Sequence, residues 1–404
     1  MSDAHDSVRG PDEAAVRTLV AAYRVRFGTG ETPHVFFSPG RVNLMGAHLD
    51  YNGGPVMPTA IDRGTFLALG RRTDGRLRLA STLSEHEVEL ELTDLPDERA
   101  GRWTDYPLGV VRALVAGARE AGTGAEITGI DCLYGGNLPV GAGLSSSASI
   151  CVGTAHALDT VWGLGLDEHA KIRAALSAER EFVGVQCGIM DPFAVMLTRP
   201  GHLLWIDCKD ESVQHVPLDT GRAAICVADT GVRRELARGA FNERVSQCAE
   251  AYRALAPFAP GATCLRDVTP EVLEAHASEL DPVLAKRARH VVTEVRRAEA
   301  AREALERGDL AGFGGAMSAA HESLRDLFEV SIEELDGLVA AALEWDGVFG
   351  TRLTGAGFGG CIVVLLDTGA CEGFAEHLGE RYEARFGRRP TVELFHGTSG
   401  PREL

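Results

Sequence analysis

Three stretches carry residues whose types and spacing could do chemistry. The first runs from Gly136 to Ala148 and contains Gly141-Ala142-Gly143-Leu144-Ser145-Ser146-Ser147. An alternating apolar run (Ile127, Ile130, Cys132, Tyr134) precedes it and reads as a strand. Ile150-Cys151-Val152 and Ala155 to Leu158 follow it and read as a buried helix. A glycine-rich turn opening into a helix gathers bare backbone N–H groups and the positive end of the helix dipole, which makes an anion site; phosphate is the usual anion. Three successive serines there could cap those N–H groups, touch a phosphate, or ligate a metal. The plainer alternative is a tight turn before a serine-capped helix. No Gly-Lys-Ser/Thr follows, so the loop is not a Walker A loop, and no acidic residue ends a following strand as a dinucleotide fingerprint requires.

The second stretch, Ser38 to Asp62, crowds Arg41, Asn43, His48, Asp50, Tyr51 and Asn52 into one turn-rich segment. A glycine-punctuated connection between strands accounts for its backbone but not for that side-chain set, which suits a ligand site on a loop. The third stretch is Cys187-Gly188-Ile189-Met190-Asp191-Pro192, with Glu179 twelve residues upstream of Asp191. By local sequence Asp191-Pro192 is a helix start, aspartate at the N-cap and proline at the first helical position. Glu179 by itself reads as a solvated charge on a helix face.

The chain that must position these groups has 404 residues, enough for a large core and about two domains. It is 45% hydrophobic with no apolar run long enough to span a membrane, and its polar first ten residues lack a signal-peptide core. Nine cysteines sit singly, without CxxC or metal-ligand spacing, which predicts reduced thiols in a cytoplasmic protein. A net charge of −18 argues against nucleic acid and acidic membranes as partners. Only three lysines occur (Lys171, Lys209, Lys286), so a bound phosphate would be neutralised by arginine, backbone and a metal ion.

Around the three stretches, periodicity predicts an amphipathic helix over Asp12–Phe27 and a strand at His34–Phe37. Period-two runs at Leu77–Leu79 and Val88–Leu92 predict antiparallel strands with one wet face. Helices are expected over Leu108–Ala121 and Asp167–Val183, and strands over His202–Asp207 and Ala223–Asp229. A segment from Asp229 leads through Phe241 into a helix around Cys248 and Tyr252. Pro282 to Ala319, rich in Ala, Arg and Glu, predicts a pair of long helices forming a solvated outer layer without chemistry. A second glycine-rich loop, Thr354 to Cys361, precedes a buried strand at Ile362–Leu366; helix Cys371–Phe386 and strand Thr391–Phe395 close the chain.

The segment Gly40 to Gly54 resembles the galactokinase signature Gly-Arg-Val-Asn-Leu-x-Gly-Glu-His-Thr-Asp-Tyr-Asn-x-Gly. The Gly141–Ser147 loop and the Thr354–Cys361 loop are similar to the second and third motifs of the GHMP kinase superfamily (galactokinase, homoserine kinase, mevalonate kinase, phosphomevalonate kinase). Three motifs in the right order extend the resemblance over almost the whole chain. It implies an α+β fold of two lobes: a ribosomal protein S5 domain 2-like lobe over residues 1–206 and a ferredoxin-like lobe over 207–404. It implies ATP on Gly141, Ala142, Gly143, Leu144, Ser145, Ser146 and Ser147, with Trp103 near adenine, and Mg²⁺ on Ser147 and Glu179. It also implies a sugar held by Arg41, Ala47, His48, Asp50, Gly188, Asp191 and Phe241, with Asp191 as catalytic base and Arg41 beside it. Pro192 replaces the family's usual glutamine and leaves the carboxylate in place.

Two departures bear on the sugar. Ala47 stands where galactokinases carry a glutamate facing C6 of galactose, and Phe241 stands where they carry a tyrosine that reaches the sugar. Both changes delete polar contacts to a C6 alcohol, and the first removes a negative charge that would repel a C6 carboxylate. The expected substrate is therefore galacturonic acid, as in the galacturonokinase branch, with Arg234 and Arg238 as carboxylate partners or plain surface arginines. L-Arabinose and galactose are the alternatives among sugars, and a non-catalytic sugar sensor is the alternative of another class.

Overall fold

The computed structural model describes residues 13–28, 30, 32–122, 126–139, 143–233 and 237–404. Its first sheet is built on β1 (His34–Asn43) and also holds β3 (Pro58–Arg72), β4 (Arg76–Ser81), β5 (Ser84–Glu91), β6 (Gly129–Gly136) and β13 (Arg402–Glu403), in the order β13-β1-β3-β6-β4-β5. A small sheet joins β2 (Pro55–Val56), β7 (His202–Asp207) and β8 (Val213–Pro217). The other lobe's sheet runs β10 (Val348–Thr354), β11 (Cys361–Asp367), β9 (Ala223–Asp229), β12 (Thr391–Phe395), with antiparallel neighbours throughout.

Helices cover the sheets. In the first lobe α1 (Glu13–Phe27) lies on the β1–β3–β6 surface, with Leu19 and Tyr23 packed against Val35, Phe37, Phe66 and Leu133. The remaining helices of this lobe are α2 (Asp105–Ala121), α3 (Ser146–Trp162), α4 (Glu168–Ser177) and α5 (Met190–Leu197). In the second lobe α6 (Ala237–Leu255), α7 (Pro270–His276), α8 (Pro282–Glu306), α9 (Leu310–Asp326), α10 (Glu333–Leu343) and α11 (Phe374–Phe386) complete the α+β, two-lobed architecture. One continuous cluster of buried side chains reaches from Leu108 and Val152 in the first lobe to Leu255, Val291 and Leu338 in the second. The two lobes therefore share one apolar core. No helix of the described residues is long and apolar enough to cross a membrane.

Several elements differ from expectation, each for a physical reason. β1 extends to Asn43, so Arg41 and Asn43 stand on a strand paired with Ala60 and Pro58, not on a loop. A register shift between Pro39 and Gly40 lets the strand carry a proline and continue past it. The helix expected to Val183 breaks after Ser177 into a π-helical turn, Ala178–Phe182, which holds Glu179. Phe241 lies within α6 rather than before it. The largest correction concerns α8, which is not a solvated outer layer: Arg287, His290 and Glu294 are buried along it. The strand β7 spans residue 206, and the last strand, β13, returns the chain end to the first sheet beside β1.

Candidate active site

Arg41 is the centre of the site. Its buried guanidinium grips Asp191 with both forks, Nε donating to Oδ1 at 2.7 Å and Nη2 to Oδ2 at 2.8 Å. Its third nitrogen, Nη1, donates to the Gly143 carbonyl at 2.7 Å, and its backbone N–H donates to the Leu144 carbonyl at 3.1 Å. One side chain thus ties β1, the end of the glycine-rich loop and α5 together. Asp191 sits inside the first turn of α5 and Ile189 takes the N-cap position, so the capping role suggested by Asp191-Pro192 does not hold. A charge-assisted, two-point pairing with a guanidinium is stronger than an N-cap bond to backbone.

Ser145 adds to the same group. It stands at the N-cap of α3 with φ of 58°, a left-handed conformation rare for a residue with a Cβ, and its hydroxyl donates to Asp191 Oδ2 instead of capping the helix. Among the described residues Oδ2 then accepts from Arg41 and Ser145, whereas Oδ1 accepts from Arg41 alone. A lone pair on Oδ1 stays open toward a hydroxyl proton.

The sugar-signature residues face this pair. Gly188 has no room for a Cβ, which would lie 1.9 Å from Asp50 Oδ2, so the Asp50 carboxyl rests directly on the Gly188 backbone. Burial and the nearby Asp191 charge push the Asp50 pKa up to about 6. His48 also has a left-handed φ of 58°, held by Asn52 Nδ2 donating to its carbonyl at 2.8 Å. Its ring is buried, 2.8 Å from the Tyr51 hydroxyl through Nδ1, and packs against Phe328 and Phe241. Burial, then the charges of His290, Arg352 and Arg244, hold its pKa well below the usual imidazole range, so the ring is neutral. Phe241 thus lines the signature loop through His48 and Tyr51.

Of the phosphate-loop residues, Gly141 and Ala142 lie outside the described residues, as do Arg234 and the side chain of Arg238. Gly143 has φ of 77° and meets the second glycine-rich loop, where a Cβ on Gly355 would be 3.3 Å from the Gly143 Cα. Leu144 sends its side chain into the apolar cluster with Val42 and Leu138, leaving only its backbone for a ligand. Ser146 and Ser147 begin α3. The nearby Ser147 hydroxyl favours the ionised Glu179 carboxyl, but burial first and then the charge of Asp191 push its pKa up to about 7. Trp103 packs edge-on against Tyr134 and donates from Nε1 to the His86 carbonyl at 2.9 Å, which accounts for its ring by packing.

A buried carboxylate with an elevated pKa and a hydroxyl beside it fits a divalent cation, which would favour the ionised form. Among the described residues no group of three or more His, Cys, Asp or Glu could hold a metal alone. Phosphate oxygens and water would have to fill most positions of a Mg²⁺ shell at Ser147 and Glu179, which is that ion's usual habit.

Three residues of this region escape sequence reasoning. Glu294 of α8, fully buried, accepts the backbone N–H groups of Gly46 and Ala47 through Oε1, both at 3.2 Å. His290, one turn earlier, meets the Ala47 carbonyl through Nε2 at 3.2 Å. Arg352 of β10 donates to the Asn43 carbonyl at 3.1 Å. The available signals were a His–Glu pair four residues apart in an alanine-rich helix, and an arginine inside the apolar strand Val348–Leu353.

An arginine–aspartate pair, a glycine-rich loop at a helix start and a buried glutamate stand together where the resemblance to the GHMP kinases places a phosphoryl-transfer site, and the comparisons bear out that class. The chain matches the GHMP kinases N terminal domain over residues 106–199, the GHMP kinases C terminal domain over 301–384, and the galactokinase galactose-binding signature over 21–71. It is 42% identical to the galactokinase of Roseiflexus sp. (strain RS-1) over 92% of this chain and 93% of that one. It is 39% identical to the galactokinase of Streptococcus thermophilus over 93% and 96%. Among solved structures it superposes on Lactococcus lactis galactokinase complexed with galactose with a TM-score of 0.90 at 31% identity, covering 96% of this chain and 100% of that one. A mevalonate kinase structure, at 17% identity and a TM-score of 0.63, shares the fold. The chain belongs to the galactokinase family of GHMP kinases.

The elevated pKa of Asp50 has a sign that can be checked. An acid whose pKa rises from 3.8 to about 6 on folding holds its proton more tightly in the folded state. The unliganded protein should then lose stability as pH climbs through that window, by up to about 3 kcal/mol from this group. Asp50→Asn should flatten the corresponding part of the melting-temperature profile; a variant profile parallel to wild type between those pH values would refute the assignment.

Proposed function

We propose that the protein is an ATP-dependent sugar 1-kinase whose preferred acceptor is galacturonic acid, giving galacturonate 1-phosphate and ADP. The observation that carries the substrate reading is Ala47: it stands on the signature turn between His48 and the buried Glu294, and brings no carboxylate to the sugar. A glutamate there would suit a C6 alcohol. Against a C6 carboxylate, two like charges about 4 Å apart repel by several kcal/mol at an intermediate dielectric. Phe241, packed on His48 without a hydroxyl, fits the same change.

In the proposed reaction the anomeric hydroxyl approaches the open lone pair of Asp191 Oδ1 and gives up its proton there as its oxygen bonds the γ-phosphorus and ADP leaves. Arg41 orients Asp191 through its two-point pair, while the start of α3 presents N–H groups to the phosphates. Asp50, resting on Gly188, and the neutral His48 orient the sugar. Ser147 and Glu179 are the residues that would hold Mg²⁺, which supplies charge neutralisation at the phosphates when bound. The second reading is galactose as acceptor, favoured by the relatives, since those named above are galactokinases. A coupled ADP-release assay with galacturonate, glucuronate, galactose and L-arabinose decides between them, and binding without turnover of any sugar would favour a sensor.

Asp191→Asn should lower turnover by 10²-fold or more while ATP still binds, since only the proton acceptor changes. Retention of more than about a tenth of the rate would overturn the base assignment. Glu179→Gln should raise the Mg²⁺ concentration needed for half-maximal rate more than it raises the sugar KM; the opposite pattern would move the metal site elsewhere.

Ala47→Glu should cost galacturonate roughly 2–4 kcal/mol in kcat/KM, about 30- to 1000-fold, and galactose much less. Specificity is a difference between two substrates, so the ratio is the quantity to measure. Equal losses on both sugars would mean that residue 47 does not face C6.

A further inference from the structure

The signature turn carries two left-handed residues within three positions. Gly46 has φ of 80°, and a Cβ there would lie 2.1 Å from the Pro55 carbonyl oxygen; His48 has φ of 58° and a full side chain. A backbone of that kind persists only where its surroundings over-determine it. Within the turn, the Leu49 N–H donates to the Gly46 carbonyl at 3.3 Å and Asn52 Nδ2 to the His48 carbonyl at 2.8 Å.

The rest of the hold comes from α8, in the other lobe. Glu294 Oε1 accepts from the N–H groups of Gly46 and Ala47, and His290 Nε2 lies 3.2 Å from the Ala47 carbonyl oxygen. These atoms belong to three successive peptide units, 45–46, 46–47 and 47–48, and the last of them leads into His48. All three contacts are to backbone atoms, so they do not depend on which side chain residue 47 carries.

The proton on His290 can be placed from its partners. The ring is fully buried, and burial first, then the charges of Arg297, Arg352 and Arg287, bring its pKa down to about 3 against the upward pull of the Ala47 bond. A neutral imidazole has one N–H, and a carbonyl only accepts, so the proton is on Nε2. Nδ1, 2.8 Å from Ser323 Oγ, then accepts from that hydroxyl, which α9 supplies. A second link runs through rings: Phe328, just past α9, packs against both His290 and His48, with centroids 4.5 and 4.7 Å away. His290 thus reaches His48 twice, through the peptide that enters it and through Phe328.

We propose that His290 and Glu294 are positioning residues of the sugar site, acting not on the sugar but on the backbone of residues 46–48, which sets the place of His48 and Asp50. The inference rests on the sugar-kinase reading above and applies to either acceptor, galacturonate or galactose. Among the described residues, neither Arg41 nor Asp191 takes a hydrogen bond from α8. Loosening the clamp should therefore weaken sugar binding more than it slows transfer or weakens ATP binding.

The test is steady-state kinetics of wild type, His290→Leu, His290→Gln and Val291→Ala, with whichever sugar of the panel wild type phosphorylates fastest. His290→Leu leaves the Ala47 carbonyl buried without this donor and should raise the sugar KM about tenfold or more, with the ATP KM within about twofold. In His290→Gln an amide N–H can stand in for Nε2, and most of the loss should be recovered. Val291→Ala removes buried packing from the same helix and no side-chain hydrogen bond, and should leave the sugar KM within about twofold of wild type. A rise in sugar KM common to all three variants, or matched by the ATP KM, would reduce His290 to a stabiliser of the fold and overturn the proposal. An unchanged sugar KM in His290→Leu would overturn it as well.

Should His290→Leu fail to fold, Glu294→Gln takes its place, keeping one acceptor oxygen for the two N–H groups and losing the charge. Charge-assisted bonds are roughly twice as strong as neutral ones, so the sugar KM should rise about threefold or more at constant ATP KM. No rise would overturn the proposal. A wild-type enzyme active on galactose and not on galacturonate would refute the galacturonate reading, and the same KM pattern on galactose would still support the clamp. A protein that phosphorylates no sugar of the panel would overturn both.

Discussion

The interaction on which the rest of the site depends is the two-point pair of Arg41 with Asp191. It joins a strand of the first sheet to a helix 150 residues further on, and the arginine's third nitrogen reaches the Gly143 carbonyl. An ion pair at this depth is a weak source of net stability, because desolvation offsets much of the attraction. Its contribution is positional. With Arg41 fixed on β1 by the sheet ladder, the loop end and the first turn of α5 each have one place to go. Ser145 then adopts a left-handed backbone so that its hydroxyl can join the same carboxylate. Local strain is concentrated where the geometry is most constrained, as expected of a preorganised reaction centre.

A second constraint comes from the other lobe. α8 and β10 push Glu294, His290 and Arg352 under the signature turn, holding Gly46 and Ala47 by backbone and Asn43 by its carbonyl. The sugar loop is thus hydrogen-bonded to elements that follow it by some 240 to 310 residues. The two glycine-rich loops also meet, Gly143 against Gly355, both with a left-handed φ (77° and 81°) that favours glycine. The cleft is not two lobes facing each other across water. Elements of the second lobe hold the backbone of the signature turn, so changes in α8 or β10 would reach that turn through its hydrogen bonds.

How much of this was legible in the sequence depends on whether the signal was local. Strands at His202–Asp207 and Ala223–Asp229 and the helix after the phosphate loop followed from apolar periodicity, and the structure has them there. The two lobes of the fold followed from the motif order. β1 was cut short because Pro39-Gly40 reads as a turn, whereas a register shift absorbs it. Asp191 gave a strong capping signal that lost to Arg41, a partner no local window contains. α8 was read as solvated because its composition of Ala, Arg and Glu is that of an exposed helix; its charges are buried against each other and against backbone from the first lobe. Buried ionic groups are paired through tertiary contacts, so composition alone cannot separate them from surface ones.

The electrostatics of the site follow one pattern. Asp50 and Glu179 have pKa values raised toward 6 and 7, and His48 and Arg352 have theirs lowered, in every case with burial as the leading cause. Each group is thus pressed toward neutrality by its surroundings. A cation beside Glu179 would favour its carboxylate form, and a hydroxyl donating to Asp50 would do the same there. The protein holds these groups in place through its own hydrogen bonds and leaves their charges incompletely compensated.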